Sequence, residues 1–103
     1  MNKREYLSYT EELKKHGYEY RENCPYEGRN RWIKFPNGDQ SEQIRMDVYS
    51  GTDIYCEEYF NVKPIIVIKG KDCECEIRLD IHFSTLNIVD IEGMFEKYSS
   101  KFK

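Results

Sequence analysis

Between residues 73 and 83 apolar and polar side chains alternate without a break. Cys73, Cys75, Ile77, Leu79, Ile81 and Phe83 take one parity, and Glu74, Glu76, Arg78, Asp80 and His82 the other. Successive side chains of a strand point to opposite faces, so the pattern predicts a half-buried β-strand. A sheet with one wet face is antiparallel or edge-rich, because a doubly wound parallel sheet would carry a continuous apolar run here.

The same reading extends along the chain. Asn2 and Glu5 have capping-box spacing, Tyr6, Tyr9 and Leu13 share one helical face, and Gly17 follows Lys14, Lys15 and His16, which predicts a helix over 3–16. Short alternations predict strands over 18–23, 31–35 and 43–49, with a loop at 24–30, a turn at Pro36-Asn37-Gly38-Asp39 and another at 50–53. In the second of these strands Ile33 and Phe35 are expected on the aliphatic face, and Trp32 and Lys34 on the opposite one. The third buries Ile44, Met46 and Val48 and exposes Arg45, Asp47 and Tyr49. Residues 54–62 alternate only in part and read as an irregular strand. Residues 64–68 form a hairpin with 73–83 through Lys69-Gly70-Lys71-Asp72. Asn87 or Asp90 can cap a last helix, in which Ile91, Met94, Phe95, Tyr98 and Phe102 fall on one face. The fold class is therefore α+β: a five- or six-stranded antiparallel meander with an N-terminal and a C-terminal helix on the same face.

Composition narrows this little. The 103 residues suit one domain spanning 1–103, large enough to hold a core without metal or disulfides. No apolar stretch reaches the roughly 20 residues of a membrane span, and the start lacks a signal-peptide core, so a cytoplasmic protein is expected. The net charge of -3 is uneven: residues 1–35 carry eight Lys/Arg against six Asp/Glu, and residues 36–103 carry eight against thirteen. An acidic half that is also the sheet half argues against a broad basic face for nucleic acid. The abundance of Lys, Asn, Ile, Tyr and Phe points to an AT-rich coding sequence, as in low-GC bacteria and their phages.

Candidate chemistry is sparse. Cys73 and Cys75 form a C-x-C pair that Cys24, Cys56 or His82 could complete as a zinc shell. Thiols two residues apart on a strand do not converge as those of a knuckle turn do, and His82 has the opposite parity, so Cys73 and Cys75 read as core and no metal or other cofactor is expected. Asp47, Glu74, Glu76 and Asp80 on one wet face could serve a metal-dependent hydrolase, since same-parity residues lie about 7 Å apart. Solvation of the strand explains them equally well, and no catalytic signature accompanies them. Arg29, Arg31, Trp32 and Lys34 are the one basic and aromatic cluster, able to neutralise phosphates and stack a base in a nucleic-acid-binding module. The aromatic content is harder to absorb. Nine Tyr and 15% aromatics exceed what a core of this size needs, and Tyr is a favoured contact residue. The expectation is a small non-catalytic protein-binding protein of inhibitor or immunity type, phage- or mobile-element-encoded and directed at a basic nucleic-acid-handling enzyme. Its contact residues would be Tyr26, Trp32 and Tyr49 with Glu74, Glu76 and Asp80 of an acidic sheet face.

Overall fold

The computed structural model describes residues 1–22, 30–71 and 76–102, with the backbone alone at 71, 76–78 and 102. Helix α1 (Lys3–Lys15) is followed by strands β1 (Glu19–Arg21), β2 (Asn30–Lys34), β3 (Gln43–Thr52), β4 (Glu58–Lys71) and β5 (Glu76–His82), then by helix α2 (Ile88–Phe102). The strands form one antiparallel sheet in sequential order, the meander that short connections dictate. Residues 24–29 of the expected loop, with Tyr26 and Arg29, and the stretch containing Cys73, Glu74 and Cys75 lie outside the described residues, while Asn30, expected in that loop, opens β2 opposite Val48.

Local chemistry sets the helix ends. Asn2 accepts from the Glu5 amide at 2.8 Å while Glu5 accepts from the Asn2 amide at 3.2 Å, a closed capping box. At the other end Gly17 takes a φ of 86°, and the Tyr18 and Gly17 amides donate back to Leu13 and Lys14. This is a Schellman closure, and its usual apolar contact is made by Leu13 and Tyr18, both buried. Asn87 caps α2 through its side chain, which accepts from the Asp90 amide at 3.1 Å.

Both helices bury their apolar stripes on one sheet face. Leu13 of α1 and Ile88, Ile91 and Phe95 of α2 pack on Ile44, Met46, Val48, Val62, Ile66 and Ile68. Trp32 belongs to this cluster and not to the opposite face. The register sets it beside Met46, only 6% of its surface is exposed, and its indole donates to the Tyr6 hydroxyl of α1 at 3.2 Å. Parity misplaces it because β2 is buried on both sides. Ile33, taken for the aliphatic face, lies on the outer one beside Arg45 and is buried as well.

The other departure concerns the middle of the chain. β3 continues to Thr52 and β4 runs unbroken from Glu58, so residues 53–57 form a hairpin tip where an irregular strand over 54–62 was expected. β4 passes through Pro64 without interruption. The carbonyl of Pro64 accepts from Phe83, but proline has no amide to return the bond, and the ladder with β5 stops at the Ile65–His82 pair. Beyond that point the N-terminal segment takes over the vacated edge, with Met1 and Phe60 exchanging backbone bonds of 2.7 and 2.9 Å.

Two outcomes follow from this core. Trp32→Ala lowers the unfolding free energy by about 3–5 kcal/mol in denaturant titration, the cost of emptying a large buried site rather than trimming a surface residue. Burial raises the Tyr9 hydroxyl from its ordinary value of 10.0 to about 12, and burial followed by the neighbouring Glu92 pushes Tyr18 up further. These protons stay on in the folded chain and leave the unfolded one, so stability holds below pH 10 and falls as pH rises toward 12. Urea midpoints measured across that window check the slope, and Tyr9→Phe flattens it.

Candidate functional site

The 53–57 tip is ordered by one aspartate. Asp53 accepts through Oδ1 from the Tyr55 amide at 2.8 Å and the Glu57 amide at 3.0 Å, its carbonyl accepts from Cys56, and its amide donates to the Glu57 carbonyl. This Asx arrangement lets a five-residue loop close the ladder, with Cys56 taking the left-handed conformation at φ 60°. Its product is the exposure of two large apolar side chains: Ile54 is 89% exposed and Tyr55 77%. Tyr59 follows on β4, half in solvent, with its ring above Gly51, where an added Cβ would stand 2.9 Å from the phenol oxygen. Asp53, Glu57 and Glu58 make the same region anionic. The nearest cation in an ion pair there is Lys3, 4.0 Å from Glu58.

The sheet face away from the helices differs from the acidic surface expected of it. Among the described residues it carries Arg21, Arg31, Arg45, Lys63 and Lys69 against Glu19, Asp47 and Asp80, a cationic balance. Asp47, expected in solvent, is 0% exposed. It lies between Arg31 and Lys63 in one cross-strand row, and its Oδ1 is 2.9 Å from Arg45 Nε and 3.9 Å from Arg31 Nε. The two arginine side chains are only 11% and 17% exposed, so they cover the aspartate as much as they neutralise it. Tyr49 is half-buried with the Lys63 ammonium 5.0 Å from its ring centroid, and Asp80 is exposed. Glu74, Tyr26 and Arg29 lie outside the described residues, and of Glu76 only the backbone is described.

The basic cluster does not converge either. Arg31 turns to Asp47 on the outer face, while Trp32 and Lys34 lie on the helix face. There Lys34 meets Glu92 of α2 at 3.3 Å, with the Tyr18 ring 5.5 Å away. Glu92 also accepts from Tyr18 at 3.2 Å and lies 3.5 Å from His16, so one carboxylate joins the end of α1, the entry to β1, β2 and α2. His16 opens onto a shallow groove of about 270 Å³ lined also by Tyr9, Glu12 and Ile88, at the small end for a ligand site. Among the described residues no three His, Cys, Asp or Glu side chains stand close enough to hold a metal ion, and no helix is long and apolar enough to cross a membrane.

Compared with protein-family models, curated proteins and solved structures, the chain matches none. The tip is what sequence reasoning missed. Residue pattern alone puts the turn at Ser50-Gly51-Thr52-Asp53 and Ile54-Tyr55 in a strand, although an aspartate able to bond the amides two and four residues on is itself a turn signal. The two regions respond differently to truncation. Asp47→Ala, which strips two enclosed guanidinium groups of their counter-charge, destabilises by about 3 kcal/mol or more, whereas Tyr55→Ala stays within about 0.5 kcal/mol of wild type in the same denaturant assay.

Proposed function

We propose that this chain is a non-catalytic protein-binding protein of the bacterial cytoplasm, of the inhibitor or immunity type that phages and mobile elements encode. In this reading it engages its partner through the β3–β4 hairpin tip. The observation that carries the reading is the Ile54–Tyr55 pair, two large apolar side chains held out by a loop whose backbone Asp53 has already ordered. An exposed aromatic on a rigid loop contributes contact area at little conformational cost, the property that makes Tyr a recurrent anchor in interfaces. Asp53, Glu57 and Glu58 around it suit a partner whose pocket is apolar at the centre and cationic at the rim. A nucleic-acid-handling enzyme presents such a rim where it holds phosphates. In this reading the acidic contact belongs to the hairpin end and not to the sheet, a choice supported by the enclosure of Asp47 and by the cationic balance of the outer face among the described residues.

Affinity capture from a bacterial host extract, followed by direct titration of the captured protein, tests this. Ile54→Asp combined with Tyr55→Ala weakens binding by about 2 kcal/mol or more at each anchor while the fold is retained. The control Val89→Ser, on the exposed side of α2, leaves binding unchanged. Undiminished capture by the tip variant refutes the proposal. Binding of a labelled oligonucleotide with a steep salt dependence would favour a nucleic-acid module instead.

A further inference from the structure

Where α2 meets the β2–β3 turn, its inward stripe becomes polar. Glu92, Phe95, Glu96, Ser99 and Ser100 recur at i, i+3, i+4, i+7 and i+8, which is one face of the helix. Two open hollows lie along this face. One, of about 200 Å³, is lined by Lys34, Pro36, Ile44 and Glu92, and the other, of about 310 Å³, by Asn37, Ser99 and Ser100; Phe95 and Glu96 belong to both. Joined in this way they reach the size of a small-ligand site. They sit at the start of β3, the end of that strand opposite the hairpin tip.

The first hollow already carries an amine of the chain itself. The Lys34 ammonium stands 3.3 Å from Glu92 and 5.5 Å from the centroid of the Tyr18 ring. The second hollow offers comparable surroundings without a cation. Glu96 follows Glu92 by about 6 Å along the helix axis, is exposed, and forms no ion pair among the described residues. Ser99 lines the hollow with only 6% of its surface exposed, and its hydroxyl makes no hydrogen bond among the described residues. A hydroxyl so nearly enclosed and unsatisfied is costly unless something meets it. Asn37 donates its Nδ2 to Glu42 at 2.7 Å, which fixes the amide and leaves its carbonyl oxygen to accept. Phe95, 3% exposed, supplies an apolar floor.

We propose that the second hollow binds a primary ammonium group carried on an aliphatic stem. The carboxylate of Glu96, the hydroxyl of Ser99 and the carbonyl oxygen of Asn37 answer the three donors of an ammonium, and the Phe95 ring takes the stem. A guanidinium would bring five donors to acceptors that are not arranged as a fork. A divalent cation would call for a larger set of oxygens and has no use for an apolar floor. Two sources present the group: a free aliphatic diamine and a lysine side chain of another protein. The site is independent of what the hairpin tip binds.

Titration of diaminobutane and of Nα-acetyl-lysine amide at constant ionic strength, followed through backbone amide shifts, tests the site. Both amines produce saturable shifts at Asn37, Gly38 and residues 95–100, and the tighter of the two identifies the source. Glu96→Gln, at an exposed position that leaves the core intact, weakens binding about tenfold or more through loss of a charge-assisted contact. Ser99→Ala weakens it about threefold, and Tyr55→Ala at the tip leaves it unchanged. Butanol, which has the stem without the charge, produces no saturable shift. Absence of a saturable shift with both amines, equal shifts from butanol or from potassium chloride alone, or undiminished binding by Glu96→Gln would each overturn the proposal.

Discussion

The ten-residue pairing of β3 with β4 is the constraint on which the other parts of the molecule depend. A slip of one residue would carry every side chain of a strand to the other face, so this register assigns Ile44, Met46 and Val48 to the helices and Arg45, Asp47 and Tyr49 to the outside. It also places Arg45 and Asp47 on the same outer face, where the Arg45 guanidinium and that of Arg31 from β2 accompany a carboxylate fully enclosed on a face no helix of the fold covers. The strands flanking this hairpin are shorter, and their positions follow from it. β2 is held where Trp32 can reach both Met46 and Tyr6, and β5 ends where Pro64 withholds an amide.

Charge is arranged against the simplest reading of the composition. The acidic excess of the second half of the chain falls largely on the hairpin tip, on the β2–β3 connection and on α2, while the outer face of the sheet balances toward arginine and lysine. A central carboxylate ringed by longer cations packs that face with the aliphatic stems of the arginines and so shields Ile33 and Ile65 without a second layer of helices. Such groups add little net stability relative to an apolar core, but they are costly to break and they reject alternative registers.

Much of the fold was legible because its signals are local. The Asn2–Glu5 cap, the Gly17 closure, the α2 stripe and the β4–β5 hairpin each rest on spacing within a few residues. What escaped depends on neighbours far along the chain. The inward turn of Trp32 is decided by the Met46 beside it and the Tyr6 above it. The burial of Asp47 is accompanied by Arg31 and Arg45, neither of which alternation can weigh. The tip was misread for a different reason, since Ile54, Tyr55 and Tyr59 have strand-like side chains while the backbone bonds of Asp53 take them out of the ladder. Of the residues first expected at a binding surface, Asp80 is exposed, Tyr49 is half-covered, Trp32 is enclosed, and the side chains of Tyr26, Glu74 and Glu76 lie outside the described residues.

The enclosure of Trp32 has a spectroscopic consequence. It is the one tryptophan in the chain, hydrogen-bonded at Nε1 and 5.1 Å from the Tyr20 ring, between the first helix and the sheet. Its emission therefore reports the docking of α1, fed by energy transfer from nearby tyrosines and shifting to the red as the helix leaves. The hairpin tip begins at Asp53, seven residues beyond Met46, the strand neighbour of Trp32, and so lies roughly 23 Å away at the rise of an extended strand. Intrinsic fluorescence thus follows the integrity of the scaffold while staying nearly silent to events at the tip, so one optical signal can separate loss of fold from loss of contact.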